Sequence, residues 1–202
     1  MTHDGAPTRI ACLLGSPRDG NSSRIARRFC ERARDAGATV EIFTLADLAF
    51  SGCRNLFHCK TGGDRCGLDD DLTPVLESVR AADILVLASP VYFTDVTSFL
   101  KAAIERFFSF FVPDYATNPV KSRLAPGKTL VFVQTQSEPE TAYRDLMERY
   151  AQGFRMLGYE AFHLIRAAGI REPGATAERS DVWARVDEVA ATLFGSPQPR
   201  PR

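Results

Sequence analysis

The 202-residue chain contains no apolar run approaching the ~20 residues needed to cross a bilayer. A membrane-spanning helix is therefore not expected, and the protein is read as having no membrane partner. It also lacks an excess of charge of either sign. Lys and Arg together number 25, and Asp and Glu together number 25. Nothing in that balance points to nucleic acid or an anionic membrane surface. The first eight residues are polar and hold no apolar signal core. The five cysteines are an odd number without the density of a secreted disulfide scaffold. The expectation is a cytoplasmic protein with reduced thiols. Neither common phosphate signature is present. In the loop after the first apolar run no glycine is followed by Lys and then Ser or Thr, and the chain has no G-x-G-x-x-G. No internal repeat or domain boundary is visible.

What is present is a regular alternation. Apolar runs occur at Ile10–Leu14, Val40–Phe43, Ile84–Ala88, Leu130–Val133 and Ala161–Ile165. Amphipathic segments fall near Ser23–Ala36, Leu72–Ala81, Thr97–Phe108, Ala142–Leu157 and Asp181–Leu193. Gly37 and Gly158 each follow a helical pattern, where a C-terminal cap belongs. Strands alternating with helices imply an α/β protein. The pattern predicts a flavodoxin-like, doubly wound, five-stranded parallel sheet of order 2-1-3-4-5 with helices on both faces. One domain is expected over 9–194, with a flexible N-terminus at 1–8 and a disordered tail at 195–202. Ligands of such sheets bind at the carboxyl ends of the strands. The loops after Leu14, Ala88 and Val133 are therefore the ones to read for function.

The first loop runs Gly15-Ser16-Pro17-Arg18-Asp19-Gly20-Asn21-Ser22-Ser23. A strand, a small-residue loop and a helix put free backbone N–H groups and the positive end of the helix dipole at one point. Ser16, Ser22 and Ser23 add hydroxyls, Asn21 an amide and Arg18 a guanidinium, against the single acid Asp19. The set suits a phosphate monoester. An ordinary N-capped helix, with Asn21 or Ser22 as the cap, is the competing reading. The second loop runs Ser89-Pro90-Val91-Tyr92-Phe93. Pro90 keeps the chain extended beyond the strand. Tyr92 and Phe93 then offer flat apolar surface on the ligand edge, unless Phe93 packs into the core or an interface.

These two loops, with Phe99-Leu100-Lys101-Ala102-Ala103-Ile104-Glu105-Arg106, resemble the flavodoxin-like NAD(P)H-dependent FMN reductases. The likeness is greatest to the iron–sulfur flavoprotein branch and covers roughly residues 9 to 170. The resemblance implies FMN as cofactor and NADPH or NADH as electron donor. It implies that Ser16, Arg18, Asn21, Ser22 and Ser23 hold the FMN phosphate. It implies that Pro90, Val91, Tyr92 and Phe93 line the isoalloxazine ring. The third loop, Gln134-Thr135-Gln136-Ser137, would close on the ring or ribityl chain through Thr135 and Gln136. No side chain is assigned as a catalytic acid or base, because the flavin carries the chemistry.

Cys53, Cys59 and Cys66 fall where that branch carries its cluster ligands, ahead of Asp69-Asp70-Asp71. The branch has four cysteines with tight spacing. Here there are three, and the position midway between the first two is Leu56. A [4Fe–4S] cluster normally takes four thiolates, so no metal is expected. His58 sits directly beside Cys59, a poor geometry for a shared chelate. Relic thiols, or a redox-active pair such as Cys59 with Cys66, are the readings left.

Phe107-Phe108-Ser109-Phe110-Phe111 places four Phe in five residues. Monomers rarely expose that much aromatic surface. The segment is expected to be buried against a second subunit of a homodimer or homotetramer, or to form a lid over the flavin. The functional expectation is a reductase passing electrons through FMN to a quinone, free flavin or other small-molecule acceptor. The alternative is an FMN electron-transfer protein served by a protein partner.

Overall fold

The computed structural model describes residues 6–195. The expected disordered tail, Gly195 apart, and most of the expected flexible N-terminus lie outside the described residues. Five strands form one sheet: β1 (Arg9–Leu14), β2 (Thr39–Thr44), β3 (Ile84–Pro90), β4 (Lys128–Thr135) and β5 (Tyr159–Ala167). All pairings are parallel and the order is β2-β1-β3-β4-β5, as the alternation predicts. The helices are α1 (Asn21–Asp35), α2 (His58–Thr61), α3 (Leu72–Ala81), α4 (Ser98–Arg106), α5 (Leu146–Met156) and α6 (Ser180–Phe194). None of the described helices is long and apolar enough to cross a membrane.

Side chains alternate across a strand, and the sequence uses both faces. Ala11, Leu13, Leu85, Leu87, Leu130 and Phe132 join α3, α4 and α5 in one core layer. Ile10, Cys12, Leu14, Val86, Val131 and Val133 join α1 and α6 in the other. β3 is buried from Ile84 through Ser89, as a central strand covered on both faces must be. β2, at the edge, is only partly buried. Gly37 and Gly158 take φ of 91° and 95° just past α1 and α5, the left-handed conformation that ends a helix cheaply only in glycine.

The differences from the sequence reading have local causes. α1 begins at Asn21, so its cap is Gly20, not Asn21 or Ser22, and no side chain caps it. β3 continues through Pro90, which pairs with Thr135. α4 stops at Arg106 and tightens into a 3₁₀ turn over Phe107–Phe110. α5 starts at Leu146, because Tyr143 has a φ of 53° that no helix accepts. The Phe-rich segment is largely satisfied within the chain. Phe107 and Phe110 lie in the core, while Phe108 and Phe111 are half-buried and pack against Tyr115. None of the four lines the cleft described below, so the lid reading is not supported.

Candidate functional site

At the carboxyl edge of the sheet, four loops enclose an open cleft of about 640 Å³, solvent mouth included. The first loop is fixed by close approach. Gly15 N–H donates to the Ala88 carbonyl at 2.8 Å. The Thr97 hydroxyl, which caps α4, donates to the Gly15 carbonyl at 2.6 Å. The backbone of Gly15 lies so close to α4 that a Cβ there would sit 2.7 Å from Leu100 Cβ and 2.9 Å from Thr97 Oγ1. Beyond it, Ser16, Arg18, Gly20, Asn21 and Ser22 line the cleft. The first intrahelical bond of α1 runs from Arg24 N–H to the Gly20 carbonyl. The N–H groups of Asn21, Ser22 and Ser23 are thus outside the helical ladder.

Asn21 has a different task from the one expected. Its amide nitrogen donates to the Glu172 carbonyl at 2.9 Å. Its oxygen accepts from Gly174 N–H at 3.0 Å and from the Thr176 hydroxyl at 3.1 Å. The side chain clamps the loop after β5 and leaves only its backbone N–H for a ligand. Ser22 and Ser23 are both buried in the first turn of α1, but Ser22 lines the cleft and Ser23 does not.

The second loop contributes Pro90, Val91 and Tyr92. Val91 N–H donates to the Thr135 carbonyl at 2.8 Å, tying loop two to β4. Tyr92 and Asp95 exchange backbone hydrogen bonds of 2.8 and 3.1 Å. The turn between them holds Phe93 at φ 45° and Thr94 at φ 71°, a strained choice that turns of this type normally give to Asn and Gly. Asp95 and α5 hold the strain in place. The Tyr150 hydroxyl donates to Asp95 Oδ1 at 2.6 Å, and Arg149 Nη2 donates to the Thr94 carbonyl at 3.0 Å. Burial, and then Asp95, push the Tyr150 phenol well above its usual range. Phe93 sits at the tip, 100% exposed, and lies outside the cleft lining. The resemblance implies that it lines the ring; here it stands free at the turn and forms no part of the cleft wall. Tyr92, 44% exposed, is the aromatic left at the cleft.

Thr135, Gln136 and Ser137 form the third side. The Gln136 carboxamide is engaged with its own loop, donating to the Pro139 carbonyl at 2.9 Å and the Ala142 carbonyl at 3.0 Å. What Gln136 offers the cleft is shape rather than a free amide. The fourth side was missed from sequence: Ile170, Arg171 and Pro173, in the loop after β5. Topology alone was the signal, since this loop leaves the same sheet edge. Gly169 and Gly174, at φ 71° and 82°, bracket the turn. Two arginines, Arg18 and Arg171, and no acid are among the lining residues. With the α1 N-terminus they make the cleft attractive to an anion.

A family model described as NADPH-dependent FMN reductase matches residues 8–159. The chain belongs to that family. FMN as cofactor and NAD(P)H as electron donor go with this membership, and the donor-lined, acid-free cleft fits a phosphate-bearing flavin. An iron-sulfur flavoprotein of Methanocaldococcus jannaschii is 32% identical over 99 residues, 48% of this chain and 51% of its own. One from Archaeoglobus fulgidus is 30% identical over 131 residues, 64% of this chain and 57% of its own. The chain thus spans about half the length of the curated relatives it matches. Among solved structures, an FMN-dependent NADH-azoreductase from Bacillus anthracis in complex with FMN superposes with a TM-score of 0.69 at 19% identity, over 93% of this chain and all of that one. An NAD(P)H:quinone oxidoreductase from Methanothermobacter marburgensis gives 0.65 at 19%, covering 93% and 98%. At such identity these two establish the fold.

The relatives' name raises the question of a cluster in this member of the FMN reductase family. Cys53, Cys59 and Cys66 line one cavity, with Leu56 in the position where a further thiolate would be needed. The Cys66 sulfur accepts a hydrogen bond from Arg106 Nε at 2.9 Å. Among the described residues no three His, Cys, Asp or Glu side chains are grouped to hold a metal ion. These residues do not fit a four-thiolate cluster.

Proposed function

We propose that the protein is an NAD(P)H oxidoreductase that passes electrons through FMN to a small acceptor such as a quinone, a free flavin or an azo compound. The observation that carries this reading is the cleft itself: a helix N-terminus, Arg18 and two serines on one wall, Tyr92 on a second and Arg171 on a third. Ser16, Ser22, Arg18 and the N–H groups at the start of α1 would hold the phosphate. Pro90, Val91 and Tyr92 would lie along the ring, with Thr135 and Gln136 walling the side beside it. Bound FMN supplies the redox relay between nicotinamide and acceptor. The chain positions that ring on rigid strand ends and keeps acids away from the phosphate. Clefts that open widely to solvent admit donor and acceptor in turn, and this one is open. A homodimer or homotetramer would form through the apolar groove between α4 and α5, which half-buried Ile104, Phe108 and Phe111 line.

The test is steady-state oxidation of NADPH and NADH by the purified protein with a small quinone, free FMN and an azo dye in turn. Turnover with at least one small acceptor is expected. Turnover only when a protein electron carrier is added favours the electron-transfer alternative. Replacing Ser22 with Ala should weaken FMN binding by roughly 10- to 150-fold, since a hydrogen bond to a charged group is worth about 1.5–3 kcal/mol. Ser23→Ala should change it far less, because Ser23 does not reach the cleft. Equilibrium titration with FMN reads both; equal effects would contradict the geometry. Tyr92→Ala should keep the apo protein's melting transition within about 0.5 kcal/mol of wild type, as expected for an exposed site, and shift the bound flavin's visible band.

A further inference from the structure

The second cavity of interest lies beside α2, away from the cleft, and shares no lining residue with it. About 320 Å³ of space, solvent mouth included, is bounded by Cys53, Cys59 and Cys66, with Leu56, Phe57 and Phe108 around them. The chain folds back on itself here. A Cβ at Gly67 would lie 2.7 Å from His58 Cβ, and one at Gly63 would lie 2.5 Å from His58 Nε2. Residues 63–67 therefore press on residue 58. Cys59 follows His58 and Cys66 precedes Gly67, so the stretches of backbone that carry the two cysteines run side by side, and both residues line the cavity. Cys53 lines the same cavity, but the backbone beside it is fixed separately, with Gly52 against Ala102 and Glu105 of α4.

Both segments are held rigidly. Arg123 Nη2 donates to the carbonyls of Cys59 and Gly63 at 2.9 and 3.3 Å. Arg106 spends its N–H groups on Cys66 Sγ, Asp70, Ser51 and Leu68, so the guanidinium against the sulfur cannot swing away.

We propose that Cys59 and Cys66 form a reversible disulfide, making this cavity a thiol oxidation site separate from the flavin cleft. Each thiol gives up one proton and one electron, and the two sulfurs join. One molecule of hydrogen peroxide, the oxidant, takes both electrons and both protons and leaves as two waters. The half-buried sulfurs on an open cavity are accessible to so small a molecule. The other thiol pair is not. Cys12 and Cys30 are fully buried. The hydrogen bond to Cys30, and then burial, push the Cys12 thiol well above its ordinary value. That pair serves as an internal control.

The experiment uses the protein as purified, with its flavin, and does not depend on the oxidoreductase reading. It is exposed to hydrogen peroxide, quenched, alkylated in denaturant and mapped by mass spectrometry. The oxidised chain should carry two fewer alkyl groups than the five of the reduced chain, with Cys59 and Cys66 in one cross-linked peptide. Dithiothreitol should restore all five. Cys53→Ser should keep the cross-link and Cys59→Ser should abolish it. A cross-link through Cys53, stable oxygen addition to Cys66 without a cross-link, or full alkylation after peroxide would each overturn the proposal.

Discussion

Replacing Gly15 with valine should dismantle the cleft. The new Cβ alone would stand 2.7 Å from Leu100 Cβ, 2.9 Å from Thr97 Oγ1 and 3.1 Å from the Ala88 carbonyl oxygen. Two of these belong to the start of α4 and one to β3, and neither can retreat. Leu100 is fully buried, and the Ala88 carbonyl holds the Gly15 N–H. The first loop must therefore lift. It would lose its bonds to Ala88 and Thr97 and carry Ser16, Arg18 and the α1 N-terminus out of register with Tyr92. Overpacking of this kind costs about 1–3 kcal/mol, so the protein should still fold. FMN affinity should fall by more than the Ser22→Ala variant loses, because every phosphate donor moves together. Thermal unfolding of the apo protein and FMN titration separate the two effects. Near-normal FMN binding in Gly15→Val would show that the first loop is not the phosphate cradle.

Arg106→Leu should be the most destabilising single change. Arg106 is 1% exposed and contacts Asp70 through both Nη atoms, at 2.8 and 3.2 Å. It also satisfies the Ser51 and Leu68 carbonyls, at 3.0 and 3.1 Å. Removing it strands a partly buried carboxylate and two carbonyls, which costs about 3–5 kcal/mol, much of the stability of an ordinary domain. The acid dependence gives a sharper signature. Burial alone would raise the Asp70 carboxyl, but the hydrogen bond and charge of Arg106 outweigh it and hold the group below its usual value. A depressed folded pKa contributes stability above the unfolded value, near 4, and that contribution is lost as pH falls through the folded one. In Arg106→Leu burial is opposed only by the backbone hydrogen bonds from Leu72 and Ser51. The folded value then moves up toward the unfolded one, so protonation costs the folded state less than in wild type. The stability gap between wild type and variant should accordingly narrow between about pH 5 and pH 3. A gap constant across that range would mean that Asp70 is not the group Arg106 holds.

The parts of this fold legible in the sequence are those set by periodicity. Apolar runs such as Ile84–Ala88 can only be central strands, and Gly37 and Gly158 mark helix ends by conformation. The first loop was legible because a strand, small residues and a helix in succession leave few geometries open. Side-chain assignments within loops were less so. Asn21 and Ser23 have the right chemistry for a phosphate, but the side chain of one is committed to residues 172–176 and the other faces the core. Both outcomes depend on a helix that starts at Asn21, with Gly20 as its cap. Phe93 falls outside the cleft wall because nothing in Tyr-Phe-Thr-Asp announces a turn with two left-handed non-glycine residues; Arg149 and Tyr150 hold it, through Thr94 and Asp95, from more than fifty positions away. Arg106 looked like one more charged residue on an amphipathic helix. Its burial follows from Asp70 and Cys66, in a segment without regular periodicity, where sequence spacing says little about contact.

The most direct measurement is anaerobic mixing of the FMN-loaded protein with NADPH and, separately, with NADH, following the flavin's visible absorbance. The account predicts that one or both bleach the band at a rate no slower than steady-state turnover with a small acceptor, and that the colour returns when that acceptor is added. A protein that binds FMN in this cleft yet stays oxidised with both nicotinamides would contradict it.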